Sequence, residues 1–268
     1  RTANGQLSWV TQQARFEGQF ESGHATSRAG KLEDGNHTLT IGDCLRLNKA
    51  IRFTKLERMR YRNVLPKLPM GELVVVVITD GGEGSQREDN FSKGQSGRLI
   101  GLVVRGDKEN RIGVVEVKTG KCLRVTHDSF DVETISAVVG LDAGIVVSLI
   151  LQEWKYGLKA DLTTRILSRL SGRPDGTPFI PIRLYTDCNS LVTNVRAVKS
   201  TRKMGRRRIY DISDIRECLE REELECILHI DGKRNPIDPI TKEAARCVST
   251  RDILMSLLGS GRWEPVFA

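Results

Sequence analysis

At 268 residues the chain holds one large domain, or one domain of ordinary size with an appendage. Hydrophobic residues at 39% and charged residues at 28% exclude a wholly disordered chain. The 42 Lys and Arg outnumber 34 Asp and Glu, giving +8; that surplus favours a polyanionic partner and selects nucleic acid without selecting catalysis.

Residues 1–36 are polar and Gly-rich, with an apolar patch at Leu7-Ser8-Trp9-Val10. The spacing of Cys44, Leu47, Ile51 and Met59 predicts a helix from Thr40 to Arg60, with Thr40 as its cap. Pro66 and Pro69 break the chain, and the main domain starts there. The organisation expected is therefore 1–65, 66–248 and 249–268, the last a helix and tail.

The β-branched run Leu73 to Ile78 has the pattern of a strand buried on both faces, and Thr79-Asp80-Gly81-Gly82 reads as the turn that ends it. Residues 83–97 read as a polar loop. Leu99 to Val104 and Gly113 to Val117 form a hairpin across residues 105–110, and Lys121 to Val125 is a further run suited to pair beside them. Asp128 to Trp154 is long enough for a helix, and Gly140 and Gly144 would let it lie close to the sheet. Its most apolar part, Ala137 to Leu151, is interrupted by Asp142 and is too short to cross a bilayer.

Pro181 to Asp187 reads as a strand, with Asp187 capping a helix whose Leu191, Val195 and Val198 share a face. Arg207 to Glu222 is the clearest helix, striped by Ile209, Ile212, Ile215 and Leu219. Leu224 to Ile230 is a strand, and Thr250 to Leu258 a last helix. The order describes an α/β mixed sheet, an antiparallel meander followed by parallel strands, with helices on its faces.

Cys44, Cys122, Cys188, Cys218, Cys226 and Cys247 form no CxxC pair and no zinc spacing, as thiols of a reducing, intracellular compartment would. The chain opens on Arg1 in what reads as mid-domain sequence without a signal peptide, as in a processed or truncated product. His24, His37, His127 and His229 form no site.

Four acids stand out. Asp80 and Asp187 end two strands in an identical Thr-Asp dipeptide, where an α/β sheet presents its ligands. Taken singly, Asp80 is an ordinary turn residue, Asp187 an ordinary N-cap, and Asp238 a turn acid between prolines. Glu133 is different, because it sits between Val132 and Ile135 early in an apolar helix, where a carboxylate needs a reason. Four converging carboxylates suit two Mg²⁺ ions about 4 Å apart at a phosphodiester. Lys199, Arg202, Lys203, Arg206, Arg207 and Arg208 crowd one ten-residue stretch between two helices, either as a nucleic-acid grip or as a solvated loop.

Thr186-Asp187-Cys188-Asn189-Ser190-Leu191, Arg207 to Ile212, and Asn235-Pro236-Ile237-Asp238-Pro239-Ile240-Thr241-Lys242 resemble, in that order, the ribonuclease H region of copia-type retrotransposon polyproteins. Asp128 to Thr134, Leu73 to Asp80 and Gly97 to Gly101 extend the resemblance. Gly5 to Trp9 and Leu45 to Ile51 resemble the tail of the preceding reverse transcriptase, making 1–65 its remnant. No polymerase motif is present, which excludes DNA synthesis. The resemblance implies a ribonuclease H-like fold, Asp80, Glu133, Asp187 and Asp238 as metal-binding acids, and cleavage of the RNA strand of RNA–DNA hybrids with two Mg²⁺. Gly81-Gly82 after the first acid, and Phe130-Asp131-Val132 before Glu133, depart from the family's pattern. A rival is a non-catalytic, retroelement-derived subunit of a large ribonucleoprotein such as a ribosome. An integrase-like or resolvase-like domain is disfavoured by the fourth acid and the Thr241-Lys242 ending.

Overall fold

The unbroken apolar run from Leu73 forms strand β1 (Leu73–Gly82), which is buried at every position. The computed structural model describes residues 6–7, 10–11, 19, 22–23, 41–56, 72–82, 94–106, 111–157, 179–197, 205–242 and 247–264. In it β1 lies at the centre of a five-stranded sheet of order β3-β2-β1-β4-β5. β2 (Gln95–Val104) and β3 (Gly113–Lys121) join it as an antiparallel meander. β4 (Ile182–Thr186) runs parallel to β1, and β5 (Leu224–His229) parallel to β4. This is the mixed architecture expected from sequence. A strand covered on both faces has no polar side, yet its side chains still alternate. Leu73, Val75 and Val77 enter one core cluster, and Val76 and Ile78 enter the other.

Three local expectations are corrected. Thr79-Asp80-Gly81-Gly82 is not a turn but the last four residues of β1, opposite Arg98, Gly97, Ser96 and Gln95. β2 accordingly begins at Gln95, inside the stretch expected to be loop; residues 83–93 lie outside the described residues. Lys121 to Val125 forms no strand of its own, because β3 continues to Lys121 to match the length of β2, with Lys121 opposite Gln95. In the first two cases pairing between ten-residue neighbours overrides the turn propensity of Gly and Asp.

Helix α1 (Ile41–Leu56) falls within the predicted span; Thr40 and residues 57–60 lie outside the described residues. Helix α2 (Ser129–Tyr156) opens at Asp128, whose side chain accepts the N–H of Asp131. A Cβ on Gly140 would stand 2.6 Å from Thr79 Cγ2, and one on Gly144 2.7 Å from Val77 Cγ2. The two glycines therefore set the close approach of α2 to β1, as their spacing predicted. The apolar stretch is longer than Ala137 to Leu151: Ser129–Lys155 meets the length and hydropathy of a membrane-crossing segment. Here Ala137, Leu141 and Leu151 pack into the core of the sheet.

Helices α3 (Asn189–Arg196) and α4 (Arg206–Glu220) complete the α2 layer through Leu191, Val192, Val195, Ile212 and Ile215. Val198 lies outside the described residues. Arg216 of α4 donates to the carbonyls of Asn194, Val195 and Ala197, which satisfies the end of α3. On the opposite face, the short helix α5 (Asp238–Thr241) and helix α6 (Val248–Ser260) cover the sheet with Ile240, Leu254, Leu257 and Leu258, joined by Trp263. From the N-terminal segment, Gln19 Nε2 donates to the carbonyl of Val117 in β3 at 2.9 Å.

Candidate metal centre

The parallel pairing of β1 and β4 sets Thr79 against Thr186. The next residue of each strand is an acid, so Asp80 and Asp187 emerge side by side at the carboxyl ends of adjacent parallel strands. Asp187 does not cap α3, contrary to expectation. Cys188 takes the N-cap position and makes no side-chain cap bond. The N–H of Cys188 instead donates to Thr186 Oγ1 at 3.1 Å, which leaves the Asp187 carboxylate free to face Asp80.

Glu133 comes from the start of α2, and it reaches the strand end because Gly81 has no side chain. A Cβ there would lie 2.7 Å from the Glu133 nitrogen. At Gly82 it would lie 2.3 Å from the carbonyl oxygen of Thr241. The two glycines that depart from the copia-type pattern thus make room for both flanking acid-bearing segments. One carboxylate oxygen each from Asp80, Glu133 and Asp187 lies within 4.8 Å of the other two.

Asp80 is fully buried and Glu133 is 9% exposed. Glu133 Oε2 and Asp187 Oδ1 are buried with no hydrogen-bond partner. A buried carboxylate oxygen without a donor is costly. Burial, then the charges of Asp80 and Asp187, hold the Glu133 carboxyl well above the usual range. Burial, then Asp80, push Asp187 up to about 6. Three oxygen ligands, two of them with orphaned atoms, fit a hard divalent cation.

Asp238 reaches the cluster by another route. Asn235 is fully buried. Its Nδ2 donates to the Thr79 carbonyl at 3.2 Å, while its Oδ1 accepts the N–H of Ile237 at 3.0 Å. That bridge ties the segment after β5 to the end of β1. There the Thr241 hydroxyl donates to Asp80 Oδ2. Lys242 Nζ stands 3.2 Å from Asp80 Oδ1 and 2.5 Å from Asp238 Oδ1. Asp238 is therefore linked to the other acids through an ammonium and is not one of the three that converge. Burial, then Asp80, push its carboxyl up to about 7. Burial alone would lower the pKa of Lys242, but Asp80 and Asp238 outweigh it and hold the amine charged.

Asn235, Thr241 and Lys242 were left without a role by the sequence reasoning. The signal was available, since all three belong to the motif that carries Asp238. His229, set aside from sequence, places Nε2 3.0 Å from the carbonyl oxygen of Asp187.

The basic stretch divides. Lys199, Arg202 and Lys203 lie outside the described residues, while Arg206 and Arg207 are exposed at the start of α4. Arg208 is committed elsewhere. It donates to Asp131, and to Asp128 at 2.8 Å, and its guanidinium sits 5.6 Å from the Phe130 ring centroid. Burial would raise the Asp131 carboxyl, but the hydrogen bond and charge of Arg208 hold it below its ordinary value. The extra acid beside Glu133 is thus neutralised by α4 and adds no charge to the cluster.

An antiparallel β1-β2-β3 meander with β4 and β5 parallel to β1 and helices on both faces is a mixed sheet of the ribonuclease H-like fold class, and acids stand at its β1 and β4 ends. Among solved structures, the chain is similar to ribonuclease H1 from the halophilic archaeon Halobacterium salinarum, at 17% identity and a TM-score of 0.39, over 65% of this chain and 98% of that one. It is also similar to the N-terminal ribonuclease H domain of a Mycobacterium tuberculosis protein, at 13% identity and 0.36, over 67% and 97%. A third is LC11 ribonuclease H1 in complex with an RNA/DNA hybrid, at 12% identity and 0.36, over 62% and 92%. No protein-family model and no curated protein matches the chain.

Proposed function

We propose that this chain is a retroelement-derived, metal-dependent endonuclease that hydrolyses the RNA strand of RNA–DNA hybrids, from the ribonuclease H region of a copia-type polyprotein. The observation that carries this is the convergence of Asp80, Glu133 and Asp187 within 4.8 Å, with buried, unpartnered oxygens on Glu133 and Asp187. Those three would hold a divalent ion, Mg²⁺ by preference, and the family resemblance implies two ions on the four acids together. When bound, such ions activate water and neutralise charge at phosphorus. Asn235 and the glycine pair keep the acids in position, and Arg206 and Arg207 contact phosphates without reading sequence. Shape and the 2′-OH distinguish RNA from DNA. Cleavage of a labelled hybrid with Mg²⁺ tests this; if wild type and Asp187→Asn are equally inert, the nuclease is lost.

A second reading is favoured by one observation: Lys242 already bridges Asp80 and Asp238 without a metal. A ribonucleoprotein subunit that kept the acids by descent would need no more. Such a subunit would co-purify with a large RNA or protein assembly and show no metal-dependent turnover.

A further inference from the structure

The family resemblance implies two cations, yet the four acids are not equivalent. Asp80, Glu133 and Asp187 converge, and the orphaned Glu133 Oε2, on a side chain only 9% exposed, points to a cation that would complete that group. Asp238 already has its cation. Lys242 lies one helical turn after it, with Nζ 2.5 Å from Asp238 Oδ1 and 3.2 Å from Asp80 Oδ1. A second ion that used Asp238, the acid outside the converging three, would meet Asp80 across the gap in which this ammonium stands. Thr241 holds the other oxygen of Asp80, so the Thr241-Lys242 dipeptide engages both oxygens of Asp80. The segment that carries the ammonium is anchored on both sides: Asn235 ties it to Thr79, and Gly82 admits the Thr241 backbone against β1.

We propose that Lys242 is a resident counter-ion that occupies the place of a second metal, so that the chain binds a single divalent ion, on Asp80, Glu133 and Asp187. This rests on the metal-binding reading above and narrows it. A second divalent ion set between Asp80 and Asp238 would stand directly against the ammonium, and their charges repel, whereas Glu133 and Asp187 each keep a buried oxygen with no hydrogen-bond partner for the first ion. Removing the ammonium frees the place between Asp80 and Asp238, while replacing it with another cation does not.

Counting bound Mn²⁺ on the full chain by electron paramagnetic resonance near neutral pH tests the proposal without any turnover. Wild type is expected to bind one ion and Lys242→Arg one. Lys242→Met is expected to bind two, the second at least tenfold tighter than any second ion of wild type. Asp238→Asn should keep the single ion and Asp187→Asn should lose it; should Lys242→Met not fold, this pair decides. Two ions of comparable affinity on wild type, one ion on a folded Lys242→Met, or loss of the ion in Asp238→Asn each overturns the proposal. No Mn²⁺ on any form overturns the metal reading itself, and this proposal with it.

Discussion

Thr79 of β1 and Thr186 of β4 stand opposite each other in parallel register, and the acids that follow them inherit that alignment. A one-residue slip between these strands would turn one acid to the other face of the sheet. Both threonines are fully buried, and the Asn235 side chain bonds the Thr79 carbonyl directly. The register is thus held by packing on both faces and by the segment that carries the fourth acid.

Asp187→Asn should abolish Mg²⁺-dependent hybrid cleavage, by at least about a hundredfold, because a neutral amide is a poor metal ligand. The same change should stabilise the metal-free chain by about 1–3 kcal/mol, the equivalent of relieving a carboxyl raised from 3.8 to about 6. Urea unfolding in EDTA measures this, and a destabilised variant would contradict the repulsion ascribed to the cluster.

Metal should matter more at high pH. Asp187 and Asp238 are raised from 3.8 to about 6 and about 7, and Glu133 shifts in the same direction. Between those limits the folded metal-free chain binds more protons than the unfolded one, so the cluster's contribution to stability falls as pH rises from about 4 to about 7. The gain in Tm on adding Mg²⁺ should then be larger near pH 8 than near pH 5. Equal gains at both would refute it.

Gly81→Ala should destabilise the fold by roughly 1–3 kcal/mol, since its Cβ would meet the backbone of Glu133 at 2.7 Å and something must shift. The shift moves Glu133 away from Asp80, so Mn²⁺ affinity should fall as well. Gly106→Ala, at φ 78 in the β2–β3 connection, should cost stability and leave metal affinity unchanged. Chemical denaturation and metal titration of the two variants separate the effects.

The arginines at the start of α4 should behave differently from one another. Replacing Arg206 and Arg207 with Ala should weaken hybrid binding and reduce the salt slope of the binding constant by about 2, with stability unchanged. Arg208→Ala should instead destabilise the chain by about 1–2 kcal/mol, because Asp131, only 8% exposed, loses its cationic partner and keeps only the His127 N–H. A salt titration alongside thermal melts distinguishes them; a stability loss in the Arg206/Arg207 pair would rule out their role as free phosphate contacts.

Much of the sheet was legible because its signals are local. The β-branched run of β1, the hairpin of β2 and β3, and the stripe of Ile212 and Ile215 each report a periodicity that survives folding. Gly140 and Gly144 could be read as contact points for the same reason: on a helix, residues four apart share a face. Glu133 was legible because a charge among apolar helix residues must be satisfied somewhere.

Other features could not be read locally. Asp80-Gly81-Gly82 has the composition of a turn, and only ten residues of β2 pairing alongside make it strand. Asp187 has the composition of a helix cap, and only the Thr186 hydroxyl and the neighbouring β1 acid give its carboxylate another task. The sequence alone determined which acids are present, their order and the basic surplus of the chain. The tertiary structure decided that three of them converge while the fourth is paired with Lys242, and that Arg208 serves Asp131, leaving it uncommitted to solvent. The physical reason is range. Propensity and periodicity act over a few residues, whereas charge pairing at this site joins residues about 160 apart, through contacts that exist only once the sheet has closed.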